Sequence, residues 1–141
     1  MTANDDAARF LGAARSMIGC PFMLHGRNPQ TGLDCVGLIA ASLDAIGRPP
    51  VAPAGYRLRN RTIAIWLGCA AASGFEAHEE RSIAGDVLLV SPSSGQHHLL
   101  IQDVEGEVIH AHAGLRRVVR QPCPAEFSVL KKWRLGPHSG D

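Results

Sequence analysis

The apolar residues of this chain change their period once, near Gly85, and that change restricts the fold more than any other feature. Before it, apolar positions recur every three or four residues, as Phe10, Leu11, Ala14 and Ile18 and then as Val36, Ile39, Leu43 and Ile46. Such spacing lays a stripe along one side of a helix. Asp5 and Asp6 stand at the start of the first stretch and Gly19 with Pro21 closes it, while Gly47 and Pro49 stop the second. A further helical stretch, carrying Ile63, Ile65, Trp66, Leu67 and Ala70, is predicted from about Leu58 to Ala72. From Gly85 the chain comes in short β-type runs: Gly85 to Val90, His98 to Asp103, Glu107 to His112, Leu115 to Gln121 and Val129 to Leu135. Ser91-Pro92, Glu105-Gly106, Ala113-Gly114 and Pro122-Cys123-Pro124 separate them, so consecutive strands are expected to pair as an antiparallel meander. Helices followed by strands make an α+β arrangement, with N-terminal helices packed on one face of a C-terminal antiparallel sheet.

At 141 residues, 45% of them hydrophobic, the chain has the size and apolar content of one domain, and no repeat or composition shift divides it. Its 14 basic and 13 acidic side chains nearly cancel, which leaves no long-range field to gather nucleic acid or an anionic membrane. No apolar run approaches the roughly 20 residues of a membrane helix. Met1 to Phe10 lack the basic start and apolar core of a secretion signal, so synthesis in the cytoplasm without a signal peptide is the expectation. The four cysteines, at 20, 35, 69 and 123, are widely spaced and form no C-x-x-C pair. Free thiols are expected, with no structural zinc.

Among them Cys35 falls in the first turn of the second helix. A thiol there lies beside unsatisfied backbone N–H groups and the positive end of the helix dipole, both of which favour the nucleophilic thiolate. The same N–H groups are placed to hold the oxygen of a tetrahedral intermediate. A buried core cysteine is the alternative reading of the same residue. Four of the seven histidines, His97, His98, His110 and His112, lie on two consecutive predicted strands. A hairpin turning near Glu105-Gly106 brings His98 and His110 close to cross-strand register. Alternation sets His110 and His112 on one face and sends His97 and His98 to opposite faces. Side by side, His98 and His110 suit a general base held by a second polar ring, the arrangement of papain-like peptidases. Surface or sheet histidines, or a zinc site built from the four with a thiol, are the competing readings.

The order of short motifs resembles the NlpC-type cell-wall cysteine peptidases, the NlpC and p60 superfamily. That family opens a helix with Gly-x-Asp-Cys-Ser-Gly-Leu, here Gly32-Leu33-Asp34-Cys35-Val36-Gly37-Leu38. Its Pro-Gly-Asp strand start, His-Val-Gly-Ile-Tyr strand and Ile-His-Ala strand stand here as Ala84-Gly85-Asp86-Val87-Leu88, His98-Leu99-Leu100-Ile101-Gln102 and Ile109-His110-Ala111. Upstream, Gly19-Cys20-Pro21-Phe22 is similar to its Gly-x-Pro-Tyr, so the resemblance runs over about residues 7 to 135. Two positions depart from the pattern: a tyrosine is Phe22 and a serine is Val36. A phage-tail or gene-transfer-particle subgroup, with Pro-Phe and Asp-Cys-Val-Gly, is the most similar.

The resemblance implies a single papain-like domain over residues 1–141 that needs no cofactor and no metal. It implies Cys35 as nucleophile, His98 as base and His110 as the residue that orients it, with Phe22, Asp34, Val36 and His97 contacting substrate. The implied substrate is the peptide stem of peptidoglycan, cut between D-glutamate and a diamino acid. The implied setting is the cell wall, reached as part of a phage-like tail with other tail proteins as partners. A thiol acyltransferase or amidase on another acyl substrate, and a non-enzymatic tail structural protein, are the alternatives.

Overall fold

The computed structural model describes residues 3–51, 69–93 and 95–137. Helix α1 (Ala3–Ser16) buries Phe10, Leu11 and Ala14 as its spacing requires. It stops two residues short of Ile18, the last residue of the apolar stripe. Gly19, at φ 96, then redirects the chain, and Ile18 is left exposed instead of extending the buried face.

The turn-rich segment that follows contains a small hairpin, β1 (Arg27–Asn28) with β2 (Gly32–Leu33). Asn28 closes its turn by accepting the Gln30 N–H at 2.8 Å. Helix α2 (Cys35–Ala45) comes next. Its sequence predicts one apolar stripe, yet Cys35, Val36, Gly37, Leu38, Ala40, Ala41, Ser42 and Leu43 are all buried. The helix is enclosed by α1, the hairpin and the sheet, and small residues on its remaining sides allow that approach. Ser42 satisfies its buried hydroxyl on the Leu38 carbonyl at 2.7 Å.

Six strands, β3 (Phe75–Ala77), β4 (Val87–Ser91), β5 (His98–Gln102), β6 (Glu107–His112), β7 (Arg117–Pro122) and β8 (Ser128–Leu135), form one sheet in the order β3-β8-β4-β5-β6-β7. Every pairing is antiparallel. The expected meander holds from β4 to β7 and then breaks, because β8 returns to pair with β4 instead of β7. Trp133 and Leu135 account for the return, since they belong to the main core beneath β4. The edge strand β3 was not expected, and with three residues of which one is buried it offers no readable period. Its Phe75 meets Phe10 edge-on, ring centres 5.5 Å apart, joining the sheet to α1.

Alternation divides the sheet cleanly. Leu89, Leu99, Ile101, Ile109, Ala111 and Val118 face the helices, while Leu88, Val90, Leu100 and Val108 build a smaller cluster with Cys123 and Phe127 on the reverse. Both faces of β4 are therefore covered, which is why Val87 to Val90 read as an unbroken apolar run. Of the helical stretch predicted at residues 58–72, positions 58–68 lie outside the described residues and 69–72 are helical.

The strand start at Gly85-Asp86 is fixed by charge. Asp86, fully buried, accepts from Arg134 Nε at 2.9 Å, from Arg134 Nη2 at 3.1 Å and from the Ile83 N–H at 3.0 Å, and its Oδ2 lies 3.0 Å from His78 Nε2. With that many partners the buried carboxylate is compensated, and removing one partner would strand it.

Candidate active site

Asp34 and Cys35 open α2, and the first of them is set by a cap. Asp34 is extended, at φ −100 and ψ −168, and its Oδ1 accepts the Gly37 N–H at 2.8 Å. Its Oδ2 accepts the His25 N–H at 2.8 Å, and Arg27 Nη1 stands 3.3 Å from Oδ1. Expected to meet substrate, Asp34 is instead fully buried, so it holds the hairpin against the helix and positions Cys35 from beneath. Val36, expected in the same role, is 5% exposed and packs among Ile39, Leu43, Leu99 and Trp133. The enclosure of α2 by α1, the hairpin and the sheet accounts for that burial.

Gly37 completes the turn for a steric reason. A Cβ there would lie 1.9 Å from the Gly26 carbonyl oxygen, a backbone atom of the hairpin loop. Ala is the better helix former by up to about 1 kcal/mol, but forcing the loop off the helix costs about 1–3 kcal/mol, and the loop also carries the Asp34 contacts. Gly37→Ala is therefore expected to lower the urea midpoint despite its higher helix propensity; a midpoint unchanged or raised would show that the loop yields freely.

Cys35 is 2% exposed. The backbone N–H groups of Leu99, Val36 and Cys35 itself favour its thiolate, but burial, and then the Asp34 charge, outweigh them and push the thiol up to about 12. The resting sulfur is protonated. Leu99 follows His98 in β5, so the thiol sits against the strand that carries the expected base. No hydrogen bond joins Cys35 Sγ to the His98 ring among the described residues.

The histidines meet diagonally. β5 and β6 pair Ile101 with Ile109 and Gln102 with Val108. Carried on, that register sets His98 opposite His112, with His110 its diagonal neighbour, a separation that ring side chains can bridge. His98 Nε2 lies 2.8 Å from His110 Nδ1, with ring centres 5.0 Å apart and planes at 73°. On the far side, His110 Nε2 lies 2.5 Å from Gln121 Oε1 on β7. His112 stacks beside His110, ring centres 5.4 Å apart, and its Nδ1 accepts the Leu115 N–H at 3.1 Å. Gln121 was not singled out from sequence; the β6–β7 register, which pairs Val108 with Gln121 and His110 with Val119, is what makes it the diagonal neighbour of His110.

Burial, then His110 and His112, lower His98 from its ordinary 6.5 to about 3. Burial likewise lowers His110, against the raising effect of its bond to Gln121. Both rings are thus neutral at rest. Their depressed values set a stability window with a definite sign: below about pH 6.5 the unfolded chain takes up protons that the native site refuses, so the free energy of unfolding falls with pH until His98 titrates near 3. Urea midpoints measured from pH 7.5 down to 4.5 are expected to decline for the wild type and to decline less for His98→Leu. Equal slopes would show that His98 is not held neutral. Asp103, lowered chiefly by its bond to Arg15, adds its own acid loss only around and below the ordinary carboxylate range.

His98, His110 and His112 line a groove with Phe22, His97 and Phe127. Phe22 and His97 thus lie in the same groove as the histidine row, and His97 Nδ1 is buried with no hydrogen-bond partner among the described residues. Among the described residues no group of three His, Cys, Asp or Glu side chains is placed to hold a metal ion. The components are a thiol under three backbone N–H groups and a neutral imidazole chain on the adjacent strand, which is the material of acyl transfer through a thioester.

Neither a protein-family model nor a curated protein sequence matches the chain. Solved structures do. It is similar to the NlpC/p60 domain of the peptidoglycan hydrolase SagA, at 21% identity over 89% of this chain and 96% of that one, TM-score 0.64. The peptidoglycan hydrolase RipB from Mycobacterium tuberculosis is 17% identical over 96% of this chain and 67% of its own, TM-score 0.66. NlpC2 from Trichomonas vaginalis is 17% identical over 94% of this chain and 47% of its own, TM-score 0.69, so the chain spans just under half of that protein. At these identities the likeness is one of architecture: the chain has the α+β, papain-like NlpC/p60 fold.

Proposed function

We propose that this protein is a cysteine peptidase that hydrolyses an amide bond in the peptide stem of peptidoglycan, between D-glutamate and a diamino acid. The observation that carries the reading is the placement of Cys35 at the start of α2 against β5, whose first residue, His98, is hydrogen-bonded to His110. The shared fold with peptidoglycan hydrolases supports the substrate class. With Nε2 directed at His110, the His98 ring keeps Nδ1 for the thiol proton. As that proton leaves, Sγ attacks the carbonyl carbon and the Cys35 N–H donates to the developing oxyanion. The tetrahedral centre collapses, the C–N bond breaks, and His98 returns its proton to the departing amine. Water, deprotonated by His98, then cleaves the thioester and restores the thiol.

Mass spectrometry of purified peptidoglycan fragments after incubation with the protein is the test. New stem-peptide fragments identify the bond; an untouched digest moves the assignment to another acyl substrate or to a structural role. The reading extends to delivery by a phage-like tail, supported by the likeness of Pro21-Phe22 and Asp34-Cys35-Val36-Gly37 to that subgroup. Co-purification with tail particles checks it, and consistent absence from them counts against it.

A further inference from the structure

The geometry points to Gln121 as a positioning residue that decides which nitrogen of His98 carries a proton, and thereby makes His98 a base toward Cys35. The inference rests on the proposed pairing of Cys35 with His98 but not on the identity of the substrate.

Three strands contribute one residue each to a row: His98 on β5, His110 on β6 and Gln121 on β7. The row has two hydrogen bonds, His98 Nε2 to His110 Nδ1 at 2.8 Å and His110 Nε2 to Gln121 Oε1 at 2.5 Å. With Oε1 toward the ring Gln121 only accepts, which sets the His110 proton on Nε2 and leaves a lone pair on Nδ1. That lone pair must then receive a proton from His98 Nε2. The neutral His98 ring has one proton, so its Nδ1 is bare and able to take another.

Reverse the end of the row and every assignment reverses. A donor at position 121 would place the His110 proton on Nδ1, make His98 Nε2 the acceptor and put the His98 proton on Nδ1, where it blocks transfer from the thiol. When Cys35 does give up its proton, the positive His98 ring donates more strongly to His110, whose Nε2–H leans on Gln121 Oε1. No proton needs to move along the row. The neighbouring Arg120 takes no part, since its Nε lies 2.6 Å from Glu107 Oε1 and 3.4 Å from Asp103 Oδ2.

The experiment compares the wild type with Gln121→Leu, which removes the acceptor, and Gln121→Glu, which keeps one. Imidazole nitrogens are read by 15N NMR on histidine-labelled protein, and the rate of Cys35 alkylation by iodoacetamide is read by mass spectrometry at neutral pH. The expected result is Nε2–H at both His98 and His110 in the wild type. In Gln121→Leu a mixture of tautomers should appear at both rings and Cys35 alkylation should slow by about tenfold, the size of a lost orienting bond. Gln121→Glu should restore both readouts. A wild type with Nδ1–H at His98, or a Gln121→Leu protein with unchanged tautomers and rate, overturns the inference. Because neither readout uses peptidoglycan, a wild type with the expected tautomers that cuts no wall fragment removes the proposed substrate and keeps the row.

Discussion

Cys35→Ala is expected to abolish stem-peptide cleavage, by at least about 1,000-fold, because removing the nucleophile of a covalent mechanism leaves only binding and oxyanion stabilisation. The fold should survive the change. Cys35 is the first residue of α2, where Ala is a strong helix former, and the hydrogen bonds that set the turn come from Asp34 rather than from the thiol. A loss near the common mutational average of about 1 kcal/mol is expected from the missing buried sulfur. Cys20, Cys69 and Cys123 remain as internal controls: a thiol label should lose its Cys35 adduct alone. Alanine protein that cuts wall fragments at the wild-type rate would end the assignment of Cys35 as nucleophile.

His98→Ala carries the second largest expected effect. Burial and Asp34 hold the thiol at about 12, so without a base only a minute fraction is ionised at neutral pH. The loss expected for a general base is about 100- to 10,000-fold. The pH profile separates this role from a structural one. In the variant, solvent hydroxide must ionise the thiol, so residual activity should climb steadily as pH rises toward the thiol's own value, whereas the wild type should level off once His98 is neutral. A variant profile parallel to that of the wild type would show that His98 does not take the thiol proton.

The burial of Asp34 and Val36 illustrates why motif position and contact are different properties. In sequence both flank Cys35, Asp34 as a match to the pattern that resembles the NlpC-type peptidases and Val36 as a departure from it. Asp34 is drawn inward because the cap of α2 and the hairpin N–H groups need an acceptor there. Val36 is drawn inward because α2 is enclosed on more than one side. Neither fact has a local signature, since the hairpin of Arg27–Asn28 with Gly32–Leu33 has no readable period of its own.

The strands show the same division. Period-two alternation was legible in Glu107 to His112 and gave the shared face of His110 and His112. Which residue of β7 would lie beside His110 was not legible, because alternation fixes the face and not the register. The hairpin turn near Gly106 set His98 close to cross-strand register with His110, and the two rings do meet, as diagonal neighbours; the same diagonal step on the next strand brings in Gln121.

By itself the sequence determined the α+β class, a helix with Cys35 in its first turn, a strand within Gly85 to Val90, the strands that begin at His98 and Glu107, and the order of the motifs, because each follows from spacing and turn chemistry within a few residues. Only the tertiary structure decided that β8 returns to β4, that Asp34 lies beneath the site, that the thiol is held protonated against Leu99, and that two histidines and a glutamine form one row. Strand order, burial and hydrogen-bond register depend on contacts between residues far apart in the chain, and those exist only once the helices and the sheet have packed together.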